Sequence, residues 1–337
     1  MLWIGRVKPH AYDSVCVVTV TYGQRGHLLG QVVSALEDEG VTRLVIVDNG
    51  CDWNIAAWSR EFPSIDIDVL QLPENIGSAG GFKAGIERGL ELGATLVWLL
   101  DDDNRPEPGA LGSLLQQYEQ LQGKYDTSAL AVCSFRVKIQ QHLLSTWRED
   151  QYGKFFRVNI RDLTRRLRLR FLPGTVEQTT DEVIPRAHAP YGGLLLHRAV
   201  VERIGYPNEE FVVYSDDLEY TERLTASGGY LGVVLRSRIQ DLEPPGHDKR
   251  LERKIVFPTL SKGDDLTVFY AARNHAYLDY RSGAKSKLYP VNRSLYLALL
   301  FIVALLRGRL HRFRLIISAI RDGESGRLGR IDSGRFV

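Results

Sequence analysis

Three consecutive aspartates, Asp101, Asp102 and Asp103, follow an apolar run in the sequence WLLDDDN. Adjacent carboxylates repel one another, so this arrangement favours a bound cation. Oxygen ligands of this kind suit the hard divalent cations Mg²⁺ and Mn²⁺. One Asp would be enough to cap the N-terminus of a helix, which is the alternative structural role. The triplet alone therefore leaves metal binding and helix capping equally open.

Two other segments contain residue types that could act together with the triplet. The sequence YSDDLEY contains Asp216 and Asp217, which could supply a catalytic carboxylate or cap a helix. The sequence ENIGSAGGF has three glycines before a predicted helix, where glycine lets backbone amides approach a phosphate. This loop does not match the G-x-G-x-x-G pattern of dinucleotide-binding proteins, and a turn that packs the helix explains it equally well.

Alternating strands and helices would position these groups. Residues 15–22, 43–50, 65–72 and 94–100 predict strands, and apolar residues at helical spacing between them predict helices. This order predicts an α/β fold with a Rossmann-like, doubly wound, mostly parallel sheet that binds ligands at the carboxyl ends of its strands. Because Asp48 and the triplet both follow strands, we expect them to share one crevice.

The composition is that of an ordinary globular protein. The 337 residues are 44% hydrophobic and 25% charged, and the net charge of +2 gives no indication of a nucleic-acid partner. Cys16, Cys51 and Cys133 lack the spacing of a metal site, which predicts reduced thiols. The first residues lack the apolar core of a signal peptide, so we expect a cytoplasmic protein.

The C-terminal region predicts a helical extension that contacts a membrane. Within the segment 294–323, residues 295–306 are an apolar stretch of 12 residues. A membrane-spanning helix needs about 20 residues, so we expect an amphipathic helix that lies on anionic lipid. A packed core helix or a contact in a homo-oligomer is the alternative. The basic residues that favour lipid are Arg307, Arg309, Arg312 and Arg314.

Taken in order, these segments resemble the family 2 glycosyltransferases. VTVTY and VDNG close the first two strands, ENIGSAGGF precedes a helix, the Asp triplet ends a later strand, and SDDLEYTER follows further on. The resemblance covers roughly residues 14–245. It implies the GT-A fold and the inverting transfer of a sugar from a nucleoside diphosphate. We expect a catalytic domain over 1–250 and a helical, membrane-associated region over 251–337.

The resemblance also implies roles for individual residues. Asp217 corresponds to the catalytic base, and we expect its pKa to be near that of an ordinary Asp. Asp216 corresponds to a residue that holds the acceptor, although it could merely cap the helix. Tyr191, Gly192 and Gly193 of YGGLLLHR correspond to the pocket for donor sugar and acceptor.

The metal and nucleotide sites are implied in the same way. Asp103, with Asp101, corresponds to the metal-binding motif, and Mn²⁺ or Mg²⁺ would stabilise the charge of the departing diphosphate. Many members carry a further metal-binding His, whose place falls to Asp241 or His247, with Asp241 slightly favoured. Gly23 stands where the family often has Asn. The nucleotide sugar is expected at Thr19, Thr21, Tyr22, Asp48, Asn75, Gly77, Gly80, Gly81, Asp101 and Asp102.

The form of the glycine loop bears on the substrate. GSAGGF most resembles galactofuranosyltransferases of bacterial cell-surface polysaccharide synthesis, with rhamnosyltransferases next. This implies UDP-galactofuranose as donor, with dTDP-rhamnose as the alternative. It also implies a polyprenyl-diphosphate-linked glycan or polysaccharide as acceptor, at the inner face of the cell membrane. The arginine-rich stretch 157–170 suits a diphosphate head group, although solvated surface charge also explains it.

Other classes of protein remain as alternatives. A sugar nucleotidyltransferase also places acidic metal ligands on a doubly wound sheet, but it would have a glycine- and lysine-rich loop after the first strand, where TYGQRGHLLG has Arg25. A dinucleotide-dependent oxidoreductase is disfavoured because its glycine fingerprint is missing. A non-catalytic glycan-binding membrane protein would not need Asp217, so the activity of a variant at that position separates it from an enzyme.

Overall fold

The structure, a computed structural model, describes residues 14–140, 155–156, 182–243, 260 and 263–332. The chain divides into two compact units. Among the described residues, the second unit contains 155–156, 210–215, 260 and 263–332, and the first unit contains the rest. The second unit therefore includes residues 210–215 from within the range expected for the catalytic domain. His247 and the stretch 157–170 lie outside the described residues.

A nine-stranded mixed sheet forms the centre of the first unit, in the order β3-β2-β1-β4-β8-β6-β9-β5 with β7 paired to β9. Strand β1 is parallel to β2 and β4, and β2 is parallel to β3, which confirms the predicted doubly wound half. Strands β6 and β9 are also parallel, whereas β5, β7 and β8 run antiparallel to their partners. The strands are β1 (Val15–Gly23), β2 (Arg43–Cys51), β3 (Asp66–Gln71), β4 (Leu96–Asp101), β5 (Asn104–Pro106), β6 (Leu130–Arg136), β7 (Val183–Pro185), β8 (Leu194–His197) and β9 (Tyr230–Asp241).

Helices cover both faces of this sheet. The pattern of β1 explains this, because Val15 and Val17 face one apolar core and Cys16 and Val18 face the other. The first core also takes residues from α1 and α4, and the second takes residues from α3, α5 and α6. The helices of this unit are α1 (Gly26–Asp38), α2 (Ile55–Trp58), α3 (Gly77–Glu91), α4 (Ala110–Gln122), α5 (Arg198–Ile204) and α6 (Asp216–Ala226).

Strand register brings the predicted acidic residues to one edge of the sheet. Thr21 of β1 pairs with Asp48 of β2, and the preceding residue, Val20, pairs with Asp101 of β4. Asp48 and Asp101 therefore lie on either side of the carboxyl end of β1. This confirms the expectation that the two acidic strand ends meet at one edge of the sheet.

Three long helices make up most of the second unit: α7 (Asp265–Gly283), α8 (Leu288–Leu306) and α9 (Leu310–Glu324). The segment 294–323, which the sequence presented as one element, is split between two of them. Gly308 has φ +64°, in the left-handed region that ends many helices, and its amide donates to the carbonyl of Leu305. The chain turns there, so the arginines that follow the apolar stretch lie at a turn and on a second helix.

The second unit also fixes a strained turn. Asn274 Nδ2 donates to three carbonyls of the segment 210–215, among them that of Phe211 at 2.9 Å, and Arg273 also donates to this carbonyl. The side chains of Arg273 and Asn274 are both fully buried. Their bonds offset the cost of backbone in the left-handed region, roughly 1–3 kcal/mol per residue. Within this turn, the residues with positive φ are Val212, Tyr214 and Ser215.

Candidate active site

The three aspartates of the triplet have three different environments. Asp102 is buried, and its Oδ2 accepts from Thr21 Oγ1 and from Arg25 Nε, both at 2.8 Å. Asp101 and Asp103 are only partly buried. Asp102 therefore ties the triplet to the end of β1, while its two neighbours remain accessible.

Asn104 connects the triplet to the end of β9. Its Nδ2 donates to Asp103 Oδ1 and to Asp241 Oδ1, at 3.1 Å in both cases. The two carboxylates are therefore brought together. Asp241 is buried, and its Oδ2 has no hydrogen-bond partner among the described residues.

Mutual repulsion and burial make these carboxyls hold protons more tightly than usual. Burial raises the pKa of Asp101 to about 6, helped by the charges of Asp102 and Asp217 and opposed by Arg136. Burial also raises the pKa of Asp103 to about 6, with the charges of Asp101 and Asp102 next in size. A cation at this point would relieve that repulsion.

Arg136, which the sequence reasoning did not single out, lies within this acidic group. Its Nε donates to Asp241 Oδ1 at 2.9 Å, its Nη2 also donates to this oxygen, and its Nη1 lies 3.4 Å from Asp101 Oδ2. The sequence analysis predicted no strand ending at this residue, so nothing in the sequence indicated its position. Its partner Asp241 is 105 residues away in sequence, so the contact could not be read from the sequence.

The second acidic pair begins helix α6. Ser78 Oγ donates to Asp216 Oδ2 at 2.9 Å, which connects the glycine loop to the pair. Asp217 Oδ1 accepts the amide of Leu218 at 2.8 Å. Glu219, the other carboxylate of the motif, is buried and forms an ion pair with Arg223. Asp217 is thus the carboxylate of the motif that is both partly exposed and without a side-chain partner in the described contacts.

The expectation of an ordinary pKa for Asp217 is wrong. Burial raises its pKa, and the negative charge of Asp216 raises it further, while Arg136 opposes the shift. Burial likewise raises the pKa of Asp216, with the hydrogen bond from Ser78 opposing it. Two adjacent carboxylates with little solvent cannot both ionise easily, so the pair titrates nearer to neutral pH than isolated aspartates do.

The glycine loop is pinned by a residue that the sequence reasoning overlooked. Asn49, next to Asp48, accepts the amide of Ile76 at 2.8 Å and donates to the carbonyl of Gly77 at 3.1 Å. Asn75 Oδ1 accepts the amide of Gly77, whose φ of +83° requires glycine or strain. The loop is therefore held in one conformation at the start of α3.

Two other glycines of the loop serve helix packing. A Cβ at Gly81 would lie 2.6 Å from a methyl group of Val20, and one at Gly80 would lie 2.6 Å from Ile76. Both glycines are buried. The packing interpretation, which the sequence left open, therefore explains why these two positions lack side chains.

The residues expected around the nucleotide lie at the carboxyl end of β1 and β2. Tyr22 is exposed, and the guanidinium of Arg25 lies 5.1 Å from its ring centre. Asp48 is buried, and its Oδ1 accepts the amide of Cys51 at 2.8 Å. Thr19 is fully buried within the sheet, two residues before Thr21.

The segment 191–193 lies against the acidic cluster. A Cβ at Gly192 would be 2.0 Å from Asn104 Oδ1 and 2.9 Å from Asp101 Oδ2, so only glycine permits this approach. Gly193 has φ +94°, which also favours glycine. Tyr191 is buried, with its ring centre 4.3 Å from that of Phe82.

The carboxylates at this site suit a divalent cation whose remaining ligands come from the substrate. The described residues contain no group of three or more His, Cys, Asp or Glu side chains arranged as a ready metal site. Mg²⁺ in phosphate-transferring sites uses one or two carboxylates together with phosphate oxygens. Asp103 and Asp241, held by one Asn and with an unpartnered buried oxygen on Asp241, fit that description.

A family comparison agrees with this fold. The model of glycosyl transferase family 2 matches residues 16–186, just over half of the chain. The chain therefore belongs to glycosyltransferase family 2 and is a glycosyltransferase. This confirms the family that the order of the motifs indicated.

Two galactofuranosyltransferases and one solved structure are similar to this chain. The chain is 28% identical over 289 residues to galactofuranosyltransferase GlfT1 of Mycolicibacterium smegmatis, covering 82% of this chain and 86% of the relative. It is 27% identical over 240 residues to GlfT1 of Mycobacterium tuberculosis, covering 70% and 72%. Residues 1–349 of TarS from S. aureus, solved with UDP-GlcNAc, align with a TM-score of 0.54 at 10% identity over 92% of this chain and 80% of that one. The last likeness shows the GT-A fold alone.

Proposed function

We propose that this glycosyltransferase moves galactofuranose from UDP-galactofuranose to a hydroxyl group of a lipid-linked or polysaccharide acceptor, with inversion. The observation that carries the donor proposal is the similarity to a galactofuranosyltransferase over more than four-fifths of both chains. The acidic groups at one edge of the sheet supply what such a transfer requires. These are a carboxylate base, and carboxylates that can hold a cation against a diphosphate.

The base in this proposal is Asp217. The acceptor hydroxyl attacks the sugar carbon while Asp217 takes its proton, and the bond from that carbon to the diphosphate oxygen breaks. The electron pair stays on the diphosphate. A single displacement of this kind inverts the configuration, and it needs only one carboxylate on the acceptor side. Asp216, held by Ser78, supports the pair and is the candidate to contact the acceptor.

Asp103 and Asp241 are the proposed ligands of Mn²⁺ or Mg²⁺. When bound, the ion would neutralise part of the charge on the diphosphate. Asn104 keeps the two carboxylates together, and Asp102 keeps the triplet in register with β1. His247 lies outside the described residues, and it stays the alternative to Asp241.

The second unit supports a proposed membrane contact. Helix α8 buries Tyr296, Leu300 and Ala304 in the core of its own unit, one residue per turn. Its opposite side is an exposed apolar face that consists of Leu299, Phe301, Ile302, Leu305 and Leu306. An exposed apolar face of this size on a soluble surface is unfavourable, so it indicates a partner.

Charge favours anionic lipid as that partner. Exposed Arg307 and Arg309 follow the apolar face directly, and Arg314 is exposed on α9. Helix α8 is also long and apolar enough to span a membrane by length and composition, which the 12-residue stretch had not indicated, and 28% of its most apolar 18-residue window is buried. We propose that it lies on the cytoplasmic face of the membrane, because one side of it packs within the protein.

A donor screen tests the proposed reaction. Purified protein with Mn²⁺ is given UDP-galactofuranose, UDP-galactopyranose, UDP-glucose or dTDP-rhamnose, with a synthetic polyprenyl-diphosphate glycan as acceptor. We expect release of UDP from the furanose donor alone, a product of inverted configuration by NMR, and loss of activity with EDTA. Preference for dTDP-rhamnose would make it the donor in place of UDP-galactofuranose. A product of retained configuration would overturn the mechanism.

A further inference from the structure

Arg136 is a buried cation that the roles given above do not use. It ends strand β6, and its side chain is only 13% exposed. Burying a guanidinium is costly unless carboxylates pair with it. Arg136 meets this condition by contacting two acids on different strands, Asp241 and Asp101.

The charge of Arg136 also reaches the proposed base. Among the groups whose carboxyl pKa it lowers are Asp101, Asp103 and Asp217. Its charge therefore acts both on carboxylates of the triplet and on the carboxylate proposed for proton transfer. The anomeric carbon of a donor and the oxygen that leaves it would have to lie between those same two groups.

The guanidinium has capacity for a further ligand. Arginine has five N–H donors, and the contacts of Arg136 with the described residues use three of them. One donor remains on each terminal nitrogen, and guanidinium N–H groups of this kind can donate to the oxygens of a phosphate. The backbone at Gly192 comes close to one of these nitrogens, Arg136 Nη1, since a Cβ at position 192 would lie 3.2 Å from it. A side chain at position 192 would therefore crowd this nitrogen.

We propose that Arg136 binds the β-phosphate of the donor and stabilises the negative charge that develops there as the sugar leaves. This rests on the proposed function, because it assumes a nucleoside diphosphate donor. As the bond from the anomeric carbon to the β-phosphate oxygen breaks, the electron pair moves to that oxygen. The acceptor oxygen forms the new bond, and its proton goes to Asp217. Arg136 stays protonated throughout.

Comparing UDP with UMP isolates this contact, since UMP lacks the β-phosphate. Calorimetry with Arg136→Gln is expected to show UDP binding weaker by about 10- to 100-fold, the worth of hydrogen bonds to a charged group. UMP binding should change less than about twofold. Arg136→Lys should recover part of the UDP affinity, because lysine keeps the charge but not the planar fork. Arg105→Gln, which removes a nearby guanidinium that donates to Gln240, is the matched control.

Two further measurements keep the test decisive. If Arg136→Gln does not fold because Asp241 loses its partner, Arg136→Gln combined with Asp241→Asn removes both charges. Measured in EDTA, this double variant should lose the preference for UDP over UMP, whereas Asp241→Asn alone should keep it. Arg136→Gln should still gain UDP affinity on addition of Mn²⁺, whereas Asp103→Ala should not. Equal loss of UDP and UMP affinity, or no loss at all, would overturn the role of Arg136. Failure of the wild-type protein to bind UDP would instead overturn the proposed function.

Discussion

Thr21 Oγ1 donates to Asp102 Oδ2 at 2.8 Å, although the two residues are 81 positions apart in sequence. Arg25 donates to the same carboxylate and also to Glu243. The middle residue of the triplet is therefore saturated by the protein itself. Its neighbours Asp101 and Asp103 are the ones that remain accessible to a ligand.

Removing Asp102 is expected to damage folding. Asp102→Ala removes the buried partner of Arg25, which keeps only its bond to the exposed Glu243, and losing hydrogen bonds to a charged group costs about 1.5–3 kcal/mol. Urea unfolding should show that loss. Asp103→Ala, at an accessible position, should unfold at nearly the wild-type urea concentration. Equal stability of the two variants would contradict the structural role of Asp102.

Removing the proposed base is expected to stop transfer without weakening the donor complex. Asp217→Asn keeps the shape of the side chain but cannot take a proton, so the rate of transfer should fall by about 10²- to 10⁴-fold. UDP affinity by calorimetry should be unchanged. Glu202→Gln, at an exposed position on α5, is the control of equal charge change. An active Asp217→Asn variant would transfer the role to Asp216, because Glu219 is engaged by Arg223.

The raised pKa of Asp217 predicts opposite effects of pH on activity and stability. As a base it must be ionised, so activity should decline as pH falls through its raised pKa, well above the ordinary value of 3.8. The folded state binds this proton more tightly than the unfolded chain, so its contribution to stability is complete at low pH and is lost as pH rises through the raised pKa. Asp217→Asn should therefore raise the melting temperature at pH 7.5 and have little effect at pH 4. A wild-type rate profile with its acidic limb near pH 4 would contradict this.

Metal and nucleotide are expected to bind together through Asp103. Asp103→Ala should lose the increase in UDP affinity that Mn²⁺ gives the wild type, because a carboxylate ligand is missing. Calorimetry with UDP, in Mn²⁺ and in EDTA, measures this. Asp66→Ala, at the exposed start of β3, should retain the full Mn²⁺ effect. An unchanged Mn²⁺ effect in Asp103→Ala would remove the triplet from the metal site.

The apolar face of α8 is expected to bind anionic vesicles. Ile302→Glu with Leu305→Glu should abolish flotation with phosphatidylglycerol vesicles, since both side chains are exposed and would no longer enter lipid. Arg307→Glu with Arg309→Glu should weaken it, and Lys285→Glu with Lys287→Glu, before the helix, is the matched charge control. High salt or carbonate should release the protein from membranes. Resistance to both would indicate a spanning helix, and a concentration-dependent dimer that these variants abolish would indicate a homo-oligomer contact.

The sequence predicted most of the framework of this site. Parallel strands place their carboxyl ends at one edge, so Asp48 and Asp101 could be brought together by counting strands. The faces of α1 and α3 were also predictable, because residues such as Val32 and Phe82 recur at helical spacing. The family resemblance indicated Asp241 or His247 as a partner of the triplet, with Asp241 slightly favoured, without any knowledge of its contacts.

Contacts between distant segments could not be predicted in this way. Residues adjacent in a turn point in different directions, and the partner of each arrives from another strand, as Arg25 does for Asp102 and Arg136 for Asp241. The pKa of Asp217 is raised chiefly by burial, which its neighbours in sequence do not determine, although the charge of the adjacent Asp216 raises it further. The sequence also could not predict which side of α8 is exposed, because an apolar helix is fully buried or half exposed according to what packs against it.

Residue types and their order thus determined the chemistry that this chain can perform, because carboxylates at parallel strand ends must meet. Tertiary structure alone decided which partner and which environment each of these carboxylates has. Asp102 is neutralised by Arg25, Asp241 is held by Arg136, and Asp217 retains a raised pKa beside Asp216. The physical reason is that electrostatic energy depends on distance through space and on burial, and folding sets both.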